Sequence, residues 1–250
     1  MAQNQCIFEY SNFVNGYLRI YFLKDNKPTD KEIFIDLEEY PIKDGVVAQI
    51  DPLVARIKDE LKKVNIKSVQ SPLLLLRCRE IYKNNLFLPV KNSFQANNLY
   101  KKEIKMRHNK DLFVAISNSY KAGVGYIFNT YFIPNSVVES FNKIEKMLNT
   151  EFVGVQPYGM FLCETLDYKG TYVYFYIKKR VCTIILVTDK DLITSYDFEF
   201  ETEKDILNRF LLVASKHEFE IEHKQIAYYD INTDEPIYID FGIEKIAKKF

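Results

Sequence analysis

The 250-residue sequence predicts an α/β protein built from one arrangement used twice: three strands, a helix and a further strand. Three observations carry this. Two clusters of short alternating or wholly apolar runs are punctuated by turn residues. Each cluster is followed by one segment with helical apolar spacing. A short strand-like run follows each of those helices.

In the first cluster, Ile7-Phe8-Glu9-Tyr10 and Tyr17 to Phe22 alternate. Asn15-Gly16 between them is the dipeptide favoured in tight type I′ hairpin turns. A third strand is expected from Glu32 to Leu37. Asp51-Pro52 is a good helix start, with Pro in the first turn. Leu53, Ile57, Leu61 and Val64 then fall on one helical face. Ser71-Pro72 leads into Leu73-Leu74-Leu75-Leu76, a short apolar run that suits a buried strand parallel to its neighbour.

The same order returns at Tyr172–Ile177, Val181–Val187 and Leu192–Phe200. Thr202 precedes Asp205 by three, a capping-box start. The helix after it is apolar over a wide face through Ile206, Phe210 and Val213, and a strand at Gln225–Tyr229 closes the copy. Between the copies, Phe94–Arg107 reads as a helix and Tyr126–Ile133 as a strand. Ser136 and Glu139 form a capping-box pattern, with Val137, Phe141, Ile144 and Leu148 as the stripe of the next helix. Phe152–Val155 reads as a short strand, and Pro157 opens a helix over Tyr158–Leu166.

Composition narrows the function classes. Only 8 residues are Gly, against a usual share of roughly 7%. Phosphate-cradling loops need Gly for close backbone approach, and neither common glycine-rich nucleotide motif is present; Gly123-Val124-Gly125 lacks the third Gly. Lys+Arg and Asp+Glu are each 34, so there is no basic excess to neutralise nucleic-acid phosphates. No apolar stretch is long enough to span a membrane, and MAQNQC does not open a signal peptide. Cys6, Cys78, Cys163 and Cys182 are far apart and read as buried free thiols of a reducing cytoplasm. His108, His217 and His223 show no metal-ligand spacing, so no metal and no cofactor are expected.

The doubled order, with a small piece inserted after the first copy, resembles the actin-like ATPase superfamily, a duplicated ribonuclease H-like fold. Local stretches sharpen the likeness. Tyr40 to Val47 leading into Asp51 is similar to the segment before the first long helix. Arg77-Cys78-Arg79-Glu80-Ile81 running to Leu88-Pro89 resembles a passage of the branch that holds the pilus-assembly protein PilM. Phe132-Ile133-Pro134 and Glu151-Phe152-Val153-Gly154-Val155 resemble another. The cell-division actin homologue FtsA belongs to this branch, and the short length is similar to an uncharacterised Bacteroidetes family with a degenerate actin-like fold. The resemblance implies a first subdomain over 1–92 with part of 149–168, an insert over 93–148, and a truncated second subdomain over 169–250.

The departures from that pattern are specific. ATP-binding members place D-x-G at the first hairpin, where Asp meets the Mg²⁺ shell and backbone N–H groups meet phosphate. Here Glu9, Ser11 and Phe13 stand in that hairpin, and Lys178 and Lys179 stand at the corresponding second turn. The adenosine-binding Gly pair is missing too. The expectation is a non-catalytic actin-like scaffold or adaptor, cytoplasmic, that binds a protein partner, with a homodimer as a further option and no nucleic acid or membrane insertion. What the resemblance implies for docking falls near Phe94, Leu99, Tyr126 and Phe128, aromatic and apolar residues of the kind that anchor interfaces.

Three other readings compete. A divergent nucleotide-binding ATPase of the PilM and FtsA type would keep nucleotide affinity, and metal chemistry would have only Glu9, Asp36 and Glu38 to draw on near the first strand. An RNA-binding module would use Tyr172, Tyr174 and Tyr176 on one strand face as a stacking platform. Tyr238 to Gly242 contains D-F-G but no accompanying kinase motif, so a terminal strand with a turn is expected there; Lys178-Lys179-Arg180 reads as a solvated hairpin tip.

Overall fold

Side chains on a strand alternate between two faces, and that alternation lays down the first sheet. A computed structural model describes residues 4–13, 16–24, 27–107, 113–165, 170–178, 180–188, 191–217, 219, 227–231 and 245–247. In chain order the elements begin with strands β1 (Asn4–Ser11), β2 (Tyr17–Lys24) and β3 (Lys27–Asp36). The small strands β4 (Ile42–Lys43) and β5 (Val46–Val47) precede helix α1 (Ile50–Lys63). Then come β6 (Leu73–Arg77), β7 (Tyr82–Leu88), α2 (Ser93–Arg107), β8 (Phe113–Ala122) and β9 (Gly125–Pro134). They are followed by α3 (Asn135–Leu148), β10 (Gly154–Pro157) and α4 (Tyr158–Thr165). The last group is β11 (Thr171–Lys178), β12 (Val181–Thr188), β13 (Asp191–Glu199), α5 (Glu203–Lys216), β14 (Ala227–Ile231) and β15 (Lys245–Ala247).

The chain divides into two units, Met1–Ser117 with Lys121–Tyr158, and Asn118–Tyr120 with Gly159–Phe250. Each holds a five-stranded sheet, ordered β10-β6-β1-β2-β3 in the first and β13-β12-β11-β14-β15 in the second. In both, the first three strands form an antiparallel meander and the fourth runs parallel to the first. Counted within its copy, each sheet reads third, second, first, fourth, fifth. The expected repeat of element order is therefore present, with a fifth strand added to each copy.

In unit 1, Phe8, Tyr10, Leu18, Ile20, Ile33, Ile35, Leu74 and Leu76 point to one side of the sheet, where α1 and α3 pack. Leu53, Val54, Ile57 and Leu61 form the buried stripe of α1, and each such side chain contributes about 1.5–3 kcal/mol on burial. The helix ends in a Schellman motif: Asn65, at φ 57°, donates its N–H to Lys62 O at 3.0 Å, and Ile66 donates to Leu61 O at 2.9 Å. Val137, Phe141 and Ile144 of α3 join this same core, although the sequence expectation groups that helix with the insert. The expected capping box of α3 is not formed. The N-cap is Pro134, two residues before Ser136, and Ser136 Oγ instead donates to Asp44 O at 3.5 Å.

The insert proper is the sheet β7-β9-β8 with α2 against it. Leu88, Ala96, Tyr100 and Phe128 make its core, with Tyr100 stacked on Phe128 at 4.4 Å between ring centroids. In unit 2, the Val173, Phe175, Ile184, Phe198, Phe210 and Val213 side chains form the core under α5. There the expected capping box is present, with Thr202 N–H donating to Asp205 Oδ2 at 2.8 Å. The expected turn at Asn15-Gly16 falls partly outside the described residues. Ser11 pairs with Tyr17, so the connection takes all the intervening residues, and Asn15 lies outside the described set. His108, Lys179, His223 and the segment Tyr238 to Gly242 also lie outside it.

Candidate functional site

β1 has an antiparallel neighbour on one side and a parallel one on the other. Ligands of open α/β sheets bind outside the carboxyl ends of the strands at such a reversal point. The residues gathered there in unit 1 are polar and buried. Since Phe8 and Tyr10 take the helix side, Glu9 and Ser11 fall on the opposite face. Arg77, the last residue of β6, sits beside Ser11 in register.

Glu9 is the centre of a buried charge network. The Tyr17 hydroxyl donates to Glu9 Oε1 and accepts from Arg77 Nη1 at 2.8 Å, while Arg77 Nη1 lies 4.0 Å from the same carboxylate oxygen. Arg19, opposite Glu9 on β2, places Nη1 3.5 Å from Glu9 Oε2. Its other nitrogens form a fork on Glu32, with Nε 2.7 Å from Oε1 and Nη2 2.9 Å from Oε2. Arg77 also lies over the ring of Tyr158 and Arg19 over that of Tyr21. Glu9, Tyr17 and Arg77 are all fully buried. Two guanidinium groups balance two carboxylates, and both oxygens of Glu9 are engaged by this chain's own donors. Paired, hydrogen-bonded charges are the form in which ionised groups tolerate burial.

Just beyond β1, a second set of contacts fixes the loop. Asn12 Nδ2 donates to Glu80 and to Gly45 O, and Asn12 Oδ1 accepts from the Arg79 N–H at 3.0 Å. The Tyr10 hydroxyl donates to the same Gly45 carbonyl at 3.0 Å. Gly45 is needed at this point: its φ is +81°, and a Cβ there would meet the Glu80 carboxyl at 2.9 Å. Phe13 is buried with Arg79 over its ring. Ser11 is fully buried, and its Oγ has no hydrogen-bond partner among the described residues. Among those residues no cluster of His, Cys, Asp or Glu is arranged to hold a metal ion.

Of the sequence candidates, Glu9, Ser11 and Phe13 thus come together at one strand end. Lys178 ends β11 in unit 2 and is buried rather than solvated, which corrects the expectation of a solvated tip at that position; Lys179 is outside the described residues. The docking candidates separate. Phe94 is 74% exposed and Leu99 36% exposed, whereas Phe128 is 2% exposed and stacked on Tyr100. Phe128 is therefore removed from the docking surface, because the insert needs it as core. Tyr126 is half-buried against the same core. Tyr172, Tyr174 and Tyr176 do share a face, but all three are buried, so they offer no platform on which bases could stack. Sequence reasoning missed Tyr17, Arg19 and Arg77 as partners of Glu9, and Glu32 as the further partner of Arg19. The signal was available for part of it: Glu9 and Arg19 are charged residues at the alternate positions of otherwise apolar strands.

No protein-family model matches the chain, and no curated protein matches it. Solved structures do. The PilM protein of a PilM–PilN type IV pilus biogenesis complex superposes with a TM-score of 0.66 at 8% identity, covering 89% of this chain and 80% of its own. The cytoplasmic domain of EpsL, an inner-membrane component of the type II secretion system of Vibrio cholerae, gives 0.60 at 8% identity, over 99% of this chain and 90% of its own. The fold is that of the actin-like ATPases. A Bacteroides thetaiotaomicron protein with actin-like ATPase fold matches over 92% of this chain and 84% of its own, at 12% identity and a TM-score of 0.45. Within this fold the Glu9 network and the Asn12 latch occupy the end of the first hairpin. No helix among the described residues is long and apolar enough to cross a membrane.

Proposed function

We propose that this chain is a non-catalytic actin-like scaffold that binds another protein. The observation behind the reading is the Glu9 carboxylate, whose two oxygens are taken by Tyr17 and Arg19 beside the fully buried Arg77. A catalytic Mg²⁺–nucleotide site needs a carboxylate open toward the metal shell and N–H donors open toward phosphate. Here the carboxylate is neutralised internally, and Asn12, where the loop that would carry the donors begins, is bound to Gly45, Arg79 and Glu80. Recruiting a metal to Glu9 would break a buried ion pair, a cost of several kcal/mol.

The partner surface is the insert. Phe94, Leu99 and Met106 are exposed on α2, and Phe87 is exposed on β7; exposed large apolar side chains in one small region mark interaction sites. Leu99 and Met106 lie two turns apart on one side of the helix, next to the stripe of Ala96 and Tyr100. Both superposed neighbours are components of assemblies, one in complex with PilN, which favours a protein partner and a cytoplasmic setting.

Titration calorimetry with ATP, ADP and GTP in the presence of Mg²⁺ tests the first half. No saturable heat and no phosphate release are expected. Saturable binding with hydrolysis would instead make the chain a divergent ATPase. For the second half, partners crosslinked to the wild-type chain in its native source should be lost from a Phe94→Asp/Leu99→Asp variant that keeps its melting temperature. Retention of every partner removes α2 as the docking surface.

A further inference from the structure

A second surface of unit 1, away from the insert, has the chemistry of a receptor for an acidic, partly apolar peptide. Between the carboxyl ends of α1 and α3 lies a groove of about 510 Å³, inside the roughly 300–1,000 Å³ range of ligand sites. Its floor is apolar: Leu61 is buried, and Ile66 and Leu148 are half-buried against the unit 1 core. Its rim carries Lys58, Lys62 and Lys67, all exposed, and no acidic residue lines it among the described residues. Lys62 pairs with Asp59 at 3.2 Å. Lys58 and Lys67 have no ion pair among the described residues. The chain as a whole has equal numbers of acidic and basic residues, so this concentration of one sign is local.

The groove is fixed by backbone rather than by side-chain packing alone. The Schellman end of α1 turns the chain sharply at Asn65 and brings Ile66 back over Leu61. Thr150 Oγ1, just past α3, donates to Val69 O at 2.9 Å and ties the segment after α3 to the lining residue Val69. Lysines at the end of α1 also suit the helix dipole. Lys67 is beyond the helix and has no such role.

We infer that this groove binds a peptide segment of a protein partner that sets an apolar side chain on the Leu61–Ile66–Leu148 floor and carboxylates on Lys58 and Lys67. Charge complementarity chooses the sign, and the apolar floor distinguishes the occupant from a purely electrostatic ligand. The site is independent of the insert surface and of the state of the Glu9 network.

A phage-displayed library of random twelve-residue peptides, selected on the intact chain and counter-selected on Lys58→Glu/Lys67→Glu, tests this. Enriched peptides should combine acidic and large apolar residues. In fluorescence anisotropy, a labelled enriched peptide should bind the variant about tenfold or more weakly, the loss expected on reversing two interface charges. Ile66→Ser, with the rim intact, should also weaken binding, and circular dichroism verifies that both variants fold. Absence of enrichment, enrichment of peptides without acids, or equal affinity for the charge variant overturns the inference. So does retention on phosphatidylserine–phosphatidylcholine vesicles that depends on Lys58 and Lys67 without any peptide binding, since the ligand would then be a membrane.

Discussion

The two sheets share a strand order but differ in what fills the face opposite their helices. Counting from the hairpin, the pair Glu9–Arg19 of unit 1 corresponds to Tyr176–Thr183 of unit 2. In unit 1 that face carries buried ions, Glu9 and Arg77, closed by Tyr17 and Arg19. In unit 2 it carries mainly Tyr172, Tyr174, Tyr176 and Ile185, with the buried Lys178 at the end of the strand and Thr183 donating to Asp197 Oδ1 at 2.6 Å. One topology therefore tolerates two ways of filling the same position. A charged network sets demanding conditions on every member, because a lost partner leaves an ion stranded. An aromatic and aliphatic face depends instead on fit.

The largest test of this contrast is Arg77→Met. Unit 1 should lose about 3–5 kcal/mol, the cost of breaking a buried ion pair by removing one member. Urea unfolding measures it, and adding Glu9→Gln should cost less than the two single losses summed. A loss below about 1 kcal/mol would mean that the network carries no stability.

The corresponding break in unit 2 is steric. A Cβ on Gly159, at the start of α4, would overlap Ser195 Cβ and Oγ on β13, because helix and sheet approach there at backbone distance. Gly159→Val should destabilise by about 1–3 kcal/mol, as overpacking does, with the same urea assay as readout. A neutral result would show that α4 shifts freely on the sheet.

The smallest effect is silent at neutral pH. Cys6 faces the unit 1 core, and burial pushes its thiol up from 9.0 to about 12. Burial raises the Tyr10 hydroxyl as well, with the nearby Cys78 and Glu80 adding to it. An acid whose folded value lies above its unfolded one adds stability that is complete below the unfolded value and is lost as pH climbs to the folded one. Stability should thus be flat near neutrality and fall from about pH 9 toward pH 12, as followed by circular dichroism. Cys6→Ala should flatten that decline, and iodoacetamide at pH 8 should leave native Cys6 unlabelled. Rapid labelling would contradict its burial.

Period and punctuation were enough to read most of the frame. Leu73–Leu76 is apolar throughout, and it is a buried strand parallel to β1. Thr202 and Asp205 announced α5 and do cap it. The strands β7 and β8 were not legible, since Tyr82-Lys83-Asn84-Asn85 and Ser117-Asn118-Ser119 are polar and half-exposed, with no alternation to detect. Ser136 had a capping sequence but found Asp44 O as its acceptor, because a cap depends on where the neighbouring chain lies.

The sequence by itself determined the doubled order of elements, the scarcity of glycine and the presence of Glu9, Ser11 and Phe13 at the first hairpin, since all three are properties of neighbouring residues. Only tertiary structure decided that Arg77, distant in sequence, reaches Glu9 through Tyr17, that Asn12 is held by Gly45 and Glu80, and that Phe128 belongs to a core rather than a surface. Those facts depend on which strands, distant in sequence, lie side by side and in what register, and neither strand alone encodes its partner.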